Sequence, residues 1–114
     1  PDRRSVTAQD ALTTAASRRF TVGTCPACRR RARLTFHHLI PRKMHRRPRF
    51  RNHYRKTELG RGIYVCRLCH DGIHQRFDEL TLATHYSDPA RLLEADELRA
   101  HFHWVSRQKE DWQD

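Results

Sequence analysis

The sequence lacks long apolar segments and has few apolar residues in total. It contains no stretch of about 18 apolar residues and no apolar core of a secretion signal, so nothing in it suggests a membrane span or export. Only 37% of the 114 residues are hydrophobic, and the mean hydropathy is -0.93. A domain of this length and composition buries a modest core. We therefore expect a single cytoplasmic domain, residues 1–114, without a membrane partner.

Acidic residues are absent from one long segment. Between Cys25 and Lys56 there are twelve Arg or Lys residues and no Asp or Glu, whereas residues 78–114 carry nine acids and four bases. The net charge is +10, and Arg outnumbers Lys twenty to three. A guanidinium group can bind two phosphate oxygens at once, which an ammonium group cannot do. This distribution predicts that nucleic acid binds at one face of the molecule.

The four cysteines form two pairs, Cys25-Pro-Ala-Cys28 and Cys66-Arg-Leu-Cys69. Two Cys-x-x-Cys pairs are typical of one tetrahedral zinc ion, and four thiolates leave no open position for catalysis. In a reducing compartment this is favoured over disulfides or redox chemistry. We therefore predict a structural Zn²⁺, which can supply folding free energy on the order of 10 kcal/mol.

Residue periodicity predicts an α+β fold built around the cysteine pairs. The predicted elements are an N-terminal helix over 5–18, strands over 29–39 and 62–66, a helix over 69–77, and C-terminal helices within 78–110. The two strands are expected to pair antiparallel. In the C-terminal part, Asp88 is expected to cap a helix that begins at Pro89. Trp104 and Trp112 are expected to cover the core and not to stack on bases, and His101 and His103 are expected on the surface.

Residues 41–60 are expected to form a long basic loop with one helical turn, because Pro48 interrupts any longer helix. Loops of this length are commonly functional or disordered. A charged run is ordinarily a solvated face, but aromatic residues between the bases and the missing acids favour contact with phosphates. The residues predicted to bind nucleic acid are Arg42, Lys43, Arg46, Arg47, Arg49, Arg51 and Arg55.

Four histidines lie next to the predicted zinc site. His37 and His38 end the first strand, and His70 and His74 are four residues apart on one helix face. The zinc ion would bring all four together, and imidazoles with open positions suit a catalytic divalent metal. Otherwise they are further structural ligands or surface residues. Because strand neighbours point to opposite faces, the strand must end or distort for His37 and His38 to share one site.

The order of these motifs resembles the HNH endonuclease family, which has a ββα-metal fold. The resemblance is carried by Cys25-x-x-Cys28, His37-His38-Leu-Ile-Pro41 and Cys66-x-x-Cys69-His70-x-x-x-His74, within residues 25–77. It implies a metal-dependent endonuclease that nicks or cuts double-stranded DNA. It also implies that His38 is the general base. The implied ligands of one catalytic Mg²⁺, Mn²⁺, Ni²⁺ or Zn²⁺ are His37, His70 and His74, where the two helix residues could also bind the scissile phosphate.

One position departs from the family pattern. The family usually has an Asn in the second strand that orients the general base, and the corresponding residue here is Arg61. The backbone carbonyl of Gly60 or Arg61, or the side chain of Asn52, would then have to hold His38, or catalysis is impaired. The alternative function is therefore a zinc-stabilised nucleic-acid-binding module with this fold and no catalytic activity.

Overall fold

The computed structural model describes residues 12–14 and 21–110, which form an antiparallel sheet and a set of helices. The strands are β1 (Leu12–Thr14), β2 (Thr21–Thr24), β3 (Arg31–His38) and β4 (Arg61–Cys66). The helices are α1 (Pro48–Arg51), α2 (Lys56–Leu59), α3 (Arg67–Arg76), α4 (Glu79–His85), α5 (Pro89–Leu93) and α6 (Asp96–Ser106), with a 3-10 helix at Arg42–Met44. The order in the sheet is β1-β4-β3-β2. The predicted α+β class is confirmed.

The central pair of strands, β3 and β4, is antiparallel as predicted, with Leu34 opposite Cys66 and His38 opposite Gly62. Along β3 the buried residues are Ala32 and Leu34, and then His37. Burial therefore switches from one face of the strand to the other at His37. The reason is that α3 covers the face that carries His37, where the His37 ring packs against His70 and His74 of α3. A polar imidazole is therefore fully buried at the end of a strand.

The prediction of an N-terminal helix over residues 5–18 is wrong at Leu12–Thr14, because these residues form a strand paired with β4. The β-branched residues Thr13 and Thr14 favour extended backbone. Pairing here also satisfies hydrogen-bonding groups on β4 that would otherwise lie at a sheet edge. The remainder of that prediction, residues 5–11 and 15–18, lies outside the described residues.

The basic loop predicted over residues 41–60 contains three short helical segments, the 3-10 helix, α1 and α2. Pro48 begins α1 at its first position, where a missing N–H costs nothing, so it starts a helix and does not interrupt one. The segments pack over a small apolar cluster, which we call the minor core. It consists of Ile40, Met44, Phe50, Leu59 and Ala83.

The C-terminal helices cover the main core. Asp88 precedes α5 and Pro89 is its first residue, as predicted. His101 is half-buried, and its Nε2 donates a hydrogen bond to the Leu68 carbonyl over 2.8 Å, so the surface prediction for His101 is wrong. Trp104 is 51% exposed, so only part of its surface can cover the core, and Trp112 lies outside the described residues. Within the described part of the chain, every helix is too short or too polar to cross a bilayer.

The contact between β3 and β4 predicts a sharp difference between two neighbouring glycines. A Cβ at Gly62 would overlap the His37 carbonyl oxygen and the Phe36 ring, whereas a Cβ at Gly60 would meet its nearest atoms at 3.7 Å. We expect Gly62→Ala to lower the free energy of unfolding by about 1–3 kcal/mol through overpacking. Urea unfolding measures this.

Gly60→Ala is the matched control, because Gly60 has φ -84° and ψ -2°, a conformation open to alanine. We expect this variant to be as stable as the parent protein or slightly more so, since alanine restricts the unfolded chain. Equal unfolding free energies for the two variants would contradict the close approach of β3 to β4.

Candidate functional site

The sulfur atoms of the four cysteines converge at one buried point, which we call the thiolate cluster. Cys25, Cys28, Cys66 and Cys69 are free, and their Sγ atoms all lie within 4.8 Å of one another. Cys28 Sγ and Cys66 Sγ are 3.7 Å apart. Thiolates placed tetrahedrally at a metal–sulfur distance of about 2.3 Å lie about 3.8 Å from each other. The cluster can therefore hold a metal ion.

Two turns of backbone present these sulfurs. In the turn between β2 and β3, the Cys25 N–H donates to the Arg30 carbonyl (2.9 Å) and Arg29 adopts a left-handed φ of 69°. On the other side, the Cys66 N–H donates to Cys25 Sγ over 3.4 Å at the junction of β4 and α3. A hydrogen bond from the Cys25 thiol lowers the pKa of Cys66 to about 6. Hydrogen bonding among the sulfurs also lowers the pKa of Cys28 and raises the pKa of Cys25 and Cys69, so thiolates are favoured at Cys28 and Cys66 and thiols at Cys25 and Cys69.

Arg30 belongs to the basic run in sequence, but its side chain lies beside the thiolate cluster. It is 5% exposed, and its Nη2 donates to Cys66 Sγ over 3.3 Å. Its Nη1 donates to the backbone carbonyl of Lys109, after α6. Four thiolates and one divalent ion carry a net negative charge, which this guanidinium partly offsets. Arg30 also joins the C-terminal segment to the cluster.

Three histidines form a second group, which we call the histidine cluster. The ligand atoms of His37, His70 and His74 lie within 4.8 Å of one another, and their ring centroids are 5.0–5.3 Å apart. His37 comes from β3, and the other two lie one turn apart on α3. The structure thus brings together the three residues predicted to bind a catalytic metal.

The unpaired ring nitrogens of His37 are the strongest indication that this cluster can hold a metal ion. His37 is fully buried, and among the described residues neither of its ring nitrogens has a hydrogen-bond partner. Leaving buried polar atoms unpaired costs folding free energy, so native proteins rarely do so. A metal ion at the centre of the cluster would accept a lone pair from His37. Three imidazoles would leave other coordination positions open.

Burial also keeps the imidazoles of His37 and His70 neutral. It lowers the pKa of His37 to about 3, with further contributions from His70 and His74. It lowers the pKa of His70 to about 4, with a further contribution from His74. Neutral imidazoles have the free lone pairs that metal binding needs.

His38, the predicted general base, lies beside the histidine cluster in a cleft of about 290 Å³ that His70 and His74 also line. The strand does not end before it, since His38 still pairs with Gly62, and the chain bends only at residues 39–40. His37 does not line this cleft, but the rings of His70 and His74, which do, lie 5.3 and 5.2 Å from the His37 ring between centroids. Burial lowers the pKa of His38, and His45 and Arg42 add to the effect.

Among the described residues, none of the groups proposed to orient His38 forms a hydrogen bond with its ring. The Arg61 carbonyl accepts a hydrogen bond from the Leu39 N–H (3.1 Å), and Asn52 is exposed. Within residues 12–14 and 21–110, no hydrogen bond to the His38 ring is present. Its ring neighbours are Phe36, edge-on at 4.8 Å, and His45 at 5.8 Å between centroids.

All seven residues predicted to bind nucleic acid are exposed. Arg42 and Lys43 line the cleft next to His38. Lys43 Nζ lies 3.8 Å from the Glu79 carboxylate, a surface pair that contributes little to stability. The others follow on the same segment, on and around α1 and α2: Arg46, Arg47, Arg49, Arg51 and Arg55.

Two residues next to the histidines, Thr35 and His45, were not predicted from the sequence. Thr35 Oγ1 lies 2.8 Å from His70 Nδ1, and His45 Nε2 donates to the Ile40 carbonyl over 2.6 Å while its ring faces His38. Thr35 could have been found, because it lies two residues before His37 and therefore on the same face of the strand. His45 has no spacing that marks it within the basic segment.

Comparisons with protein-family models, with curated proteins and with solved structures give no match to this chain.

The thiolate cluster predicts that a bound metal is required for folding. When the parent protein is titrated with Co²⁺, we expect a thiolate-to-metal charge-transfer absorption, and we expect Cys28→Ser to lose it. The variant should also unfold, because structural metal sites supply folding free energy on the order of 10 kcal/mol. Absorption and far-ultraviolet circular dichroism measure the two effects. Ala27→Ser places the same side chain in the same turn without removing a ligand, and it should keep both signals. A Cys28→Ser protein that stays folded and unfolds cooperatively on heating would contradict the structural role of the metal.

Proposed function

We propose that this protein is a metal-dependent endonuclease that hydrolyses phosphodiester bonds in double-stranded DNA. The observation that carries the proposal is the buried, unpartnered His37 meeting His70 and His74, with the His38 ring in the adjoining cleft. In this proposal β3, β4 and α3 correspond to the ββα-metal core of the HNH endonucleases. The thiolate cluster would bind a structural Zn²⁺.

The donor types suggest which metals fit the two sites. Four thiolates favour Zn²⁺ in the closed site. Three imidazoles favour Zn²⁺ or Ni²⁺ in the open site over Mg²⁺ and Mn²⁺, which prefer oxygen ligands. When bound there, such a metal supplies Lewis acidity to the scissile phosphate and stabilises the departing oxygen.

The side chains of the cleft supply the remaining parts of the reaction. His38 would accept a proton from the attacking water, and its lowered pKa keeps it neutral and able to do so near pH 7. Arg42 and Lys43, on the wall of the same cleft, would stabilise negative charge on the phosphate oxygens. The burial of His37 and His70 keeps water away from one side of the site.

The exposed bases from Arg46 to Arg55 would hold the DNA backbone on either side of the cleaved bond. They lie on one segment that begins at the cleft, and no acidic residue occurs between Cys25 and Lys56. Contacts with phosphates position a duplex without reading its sequence. We therefore propose that this domain has little sequence preference of its own.

The catalytic role predicts the effect of removing His38. We expect His38→Ala to reduce the rate of nicking by about 10²- to 10⁴-fold, the usual contribution of a general base. Relaxation of supercoiled plasmid with Mg²⁺, Mn²⁺, Ni²⁺ or Zn²⁺ measures the rate. The control is His103→Ala, which removes an exposed histidine on α6. No nicking by the parent protein with any of these metals, or equal rates for parent and His38→Ala, would overturn the proposal.

The basic surface predicts a specific change in salt dependence. The logarithm of DNA affinity falls linearly with the logarithm of salt concentration, and each lost phosphate contact should make this negative slope shallower by about 0.9. We expect Arg46→Gln combined with Arg49→Gln to weaken DNA binding and to reduce this slope. Fluorescence anisotropy with a labelled duplex, in a His38→Ala background that does not cleave it, measures both.

The matched control combines Arg99→Gln with Arg107→Gln, which removes the same charge from α6 and its end. These residues lie in the acidic part of the chain, so we expect the slope to be unchanged. An equal loss in the two double variants would show that only net charge matters and would contradict a defined interface.

A second candidate function is nucleic-acid binding without catalysis. It is favoured by the His38 ring, which lacks a hydrogen-bond acceptor among the described residues, while Arg61 occupies the position of the family's Asn. Under this alternative, the parent protein binds duplex DNA with the same salt dependence and cleaves nothing.

A further inference from the structure

Thr35 holds the ring of His70 through its hydroxyl group. Thr35 Oγ1 donates a hydrogen bond to the Val65 carbonyl over 3.0 Å and lies 2.8 Å from His70 Nδ1. A hydroxyl has one proton, and the Val65 carbonyl oxygen can only accept. The lone pairs of Oγ1 therefore face His70, so Nδ1 must carry the proton and donate it.

This hydrogen-bond chain determines which nitrogen of His70 is free. A neutral imidazole carries one proton, and in this chain it is on Nδ1. Nε2 is then the nitrogen with a lone pair, and it is the only atom that His70 can offer to a metal. The chain from Val65 through Thr35 to His70 thus selects one of two tautomers.

We propose that Thr35 is a positioning residue of the histidine cluster, which fixes the Nδ1–H tautomer and the ring orientation of His70 for metal binding through Nε2. The inference rests on the proposed function only in taking the histidine cluster as a metal site. Partners of this kind typically contribute 10- to 100-fold in metal affinity.

The other groups near His70 do not replace this contact. Asp71 follows His70 in sequence, but it is exposed and its carboxylate lies 3.9 Å from Arg67 Nε. Thr35 is half-buried on β3 and shares its face with His37. It is also uncharged, so it orients the imidazole without placing a negative charge beside the ligand. A carboxylate in this place would raise the basicity of the imidazole.

Two substitutions separate the hydroxyl from the shape of the side chain. Thr35→Val keeps the branched shape that suits a strand and removes the hydroxyl, and Thr35→Ser keeps the hydroxyl. Both are tested in protein purified with Zn²⁺ in the thiolate cluster. His37→Ala serves as the reference without the second site.

The first measurement is Co²⁺ binding beyond the resident zinc, followed by visible absorption and calorimetry. We expect the parent protein to bind one Co²⁺, Thr35→Val to bind it about 10- to 100-fold more weakly, and Thr35→Ser to retain the affinity. Equal affinities of the parent and Thr35→Val would overturn the inference. If the parent binds no Co²⁺, the proposed metal site fails, and the second measurement still decides the role of Thr35.

The second measurement is the tautomer of His70 without metal in the histidine cluster, read from long-range ¹H–¹⁵N correlations of the ring. The parent and Thr35→Ser are expected to show the Nδ1–H form, and Thr35→Val a shift toward the Nε2–H form. A parent protein with His70 in the Nε2–H form would overturn the inference, whatever the metal affinity.

Discussion

The convergence of four cysteine sulfurs is the constraint on which the rest of the structure depends. It joins the turn before β3 to the junction between β4 and α3, and these are the elements that carry the histidines. With this junction fixed, the distance from the end of β3 to the first turns of α3 follows from strand and helix geometry. A thin apolar core could not hold three imidazoles in place without such a link.

The two neighbouring clusters differ in the charge that their surroundings favour. In the thiolate cluster, a buried guanidinium from Arg30 and neighbouring thiols stabilise negative charge. In the histidine cluster, burial suppresses positive charge on His37 and His70. The thiolate cluster offers sulfur donors and the histidine cluster offers nitrogen donors, so the two sites differ in the metals that they would favour.

The sequence allowed prediction of the strand pair, the α3 helix and the members of both clusters. Cys-x-x-Cys spacing and the i, i+4 spacing of His70 and His74 are local patterns with few structural solutions. The strand at Leu12–Thr14 was missed because it depends on pairing with β4, a contact made far along the chain. His101 was misplaced because Gly72, on another helix, makes the room for its ring. Thr35 acquires its role only from α3 lying over it.

The minor core has a thermodynamic consequence for the basic segment. Ile40, Met44, Phe50 and Leu59 are buried beneath the arginines, so the short helices are folded before any partner arrives. A disordered basic arm loses conformational entropy when it docks, and that loss weakens binding. Here much of that entropy is already lost when the protein folds, so the proposed association with DNA should proceed with a small change in heat capacity and little coupled folding.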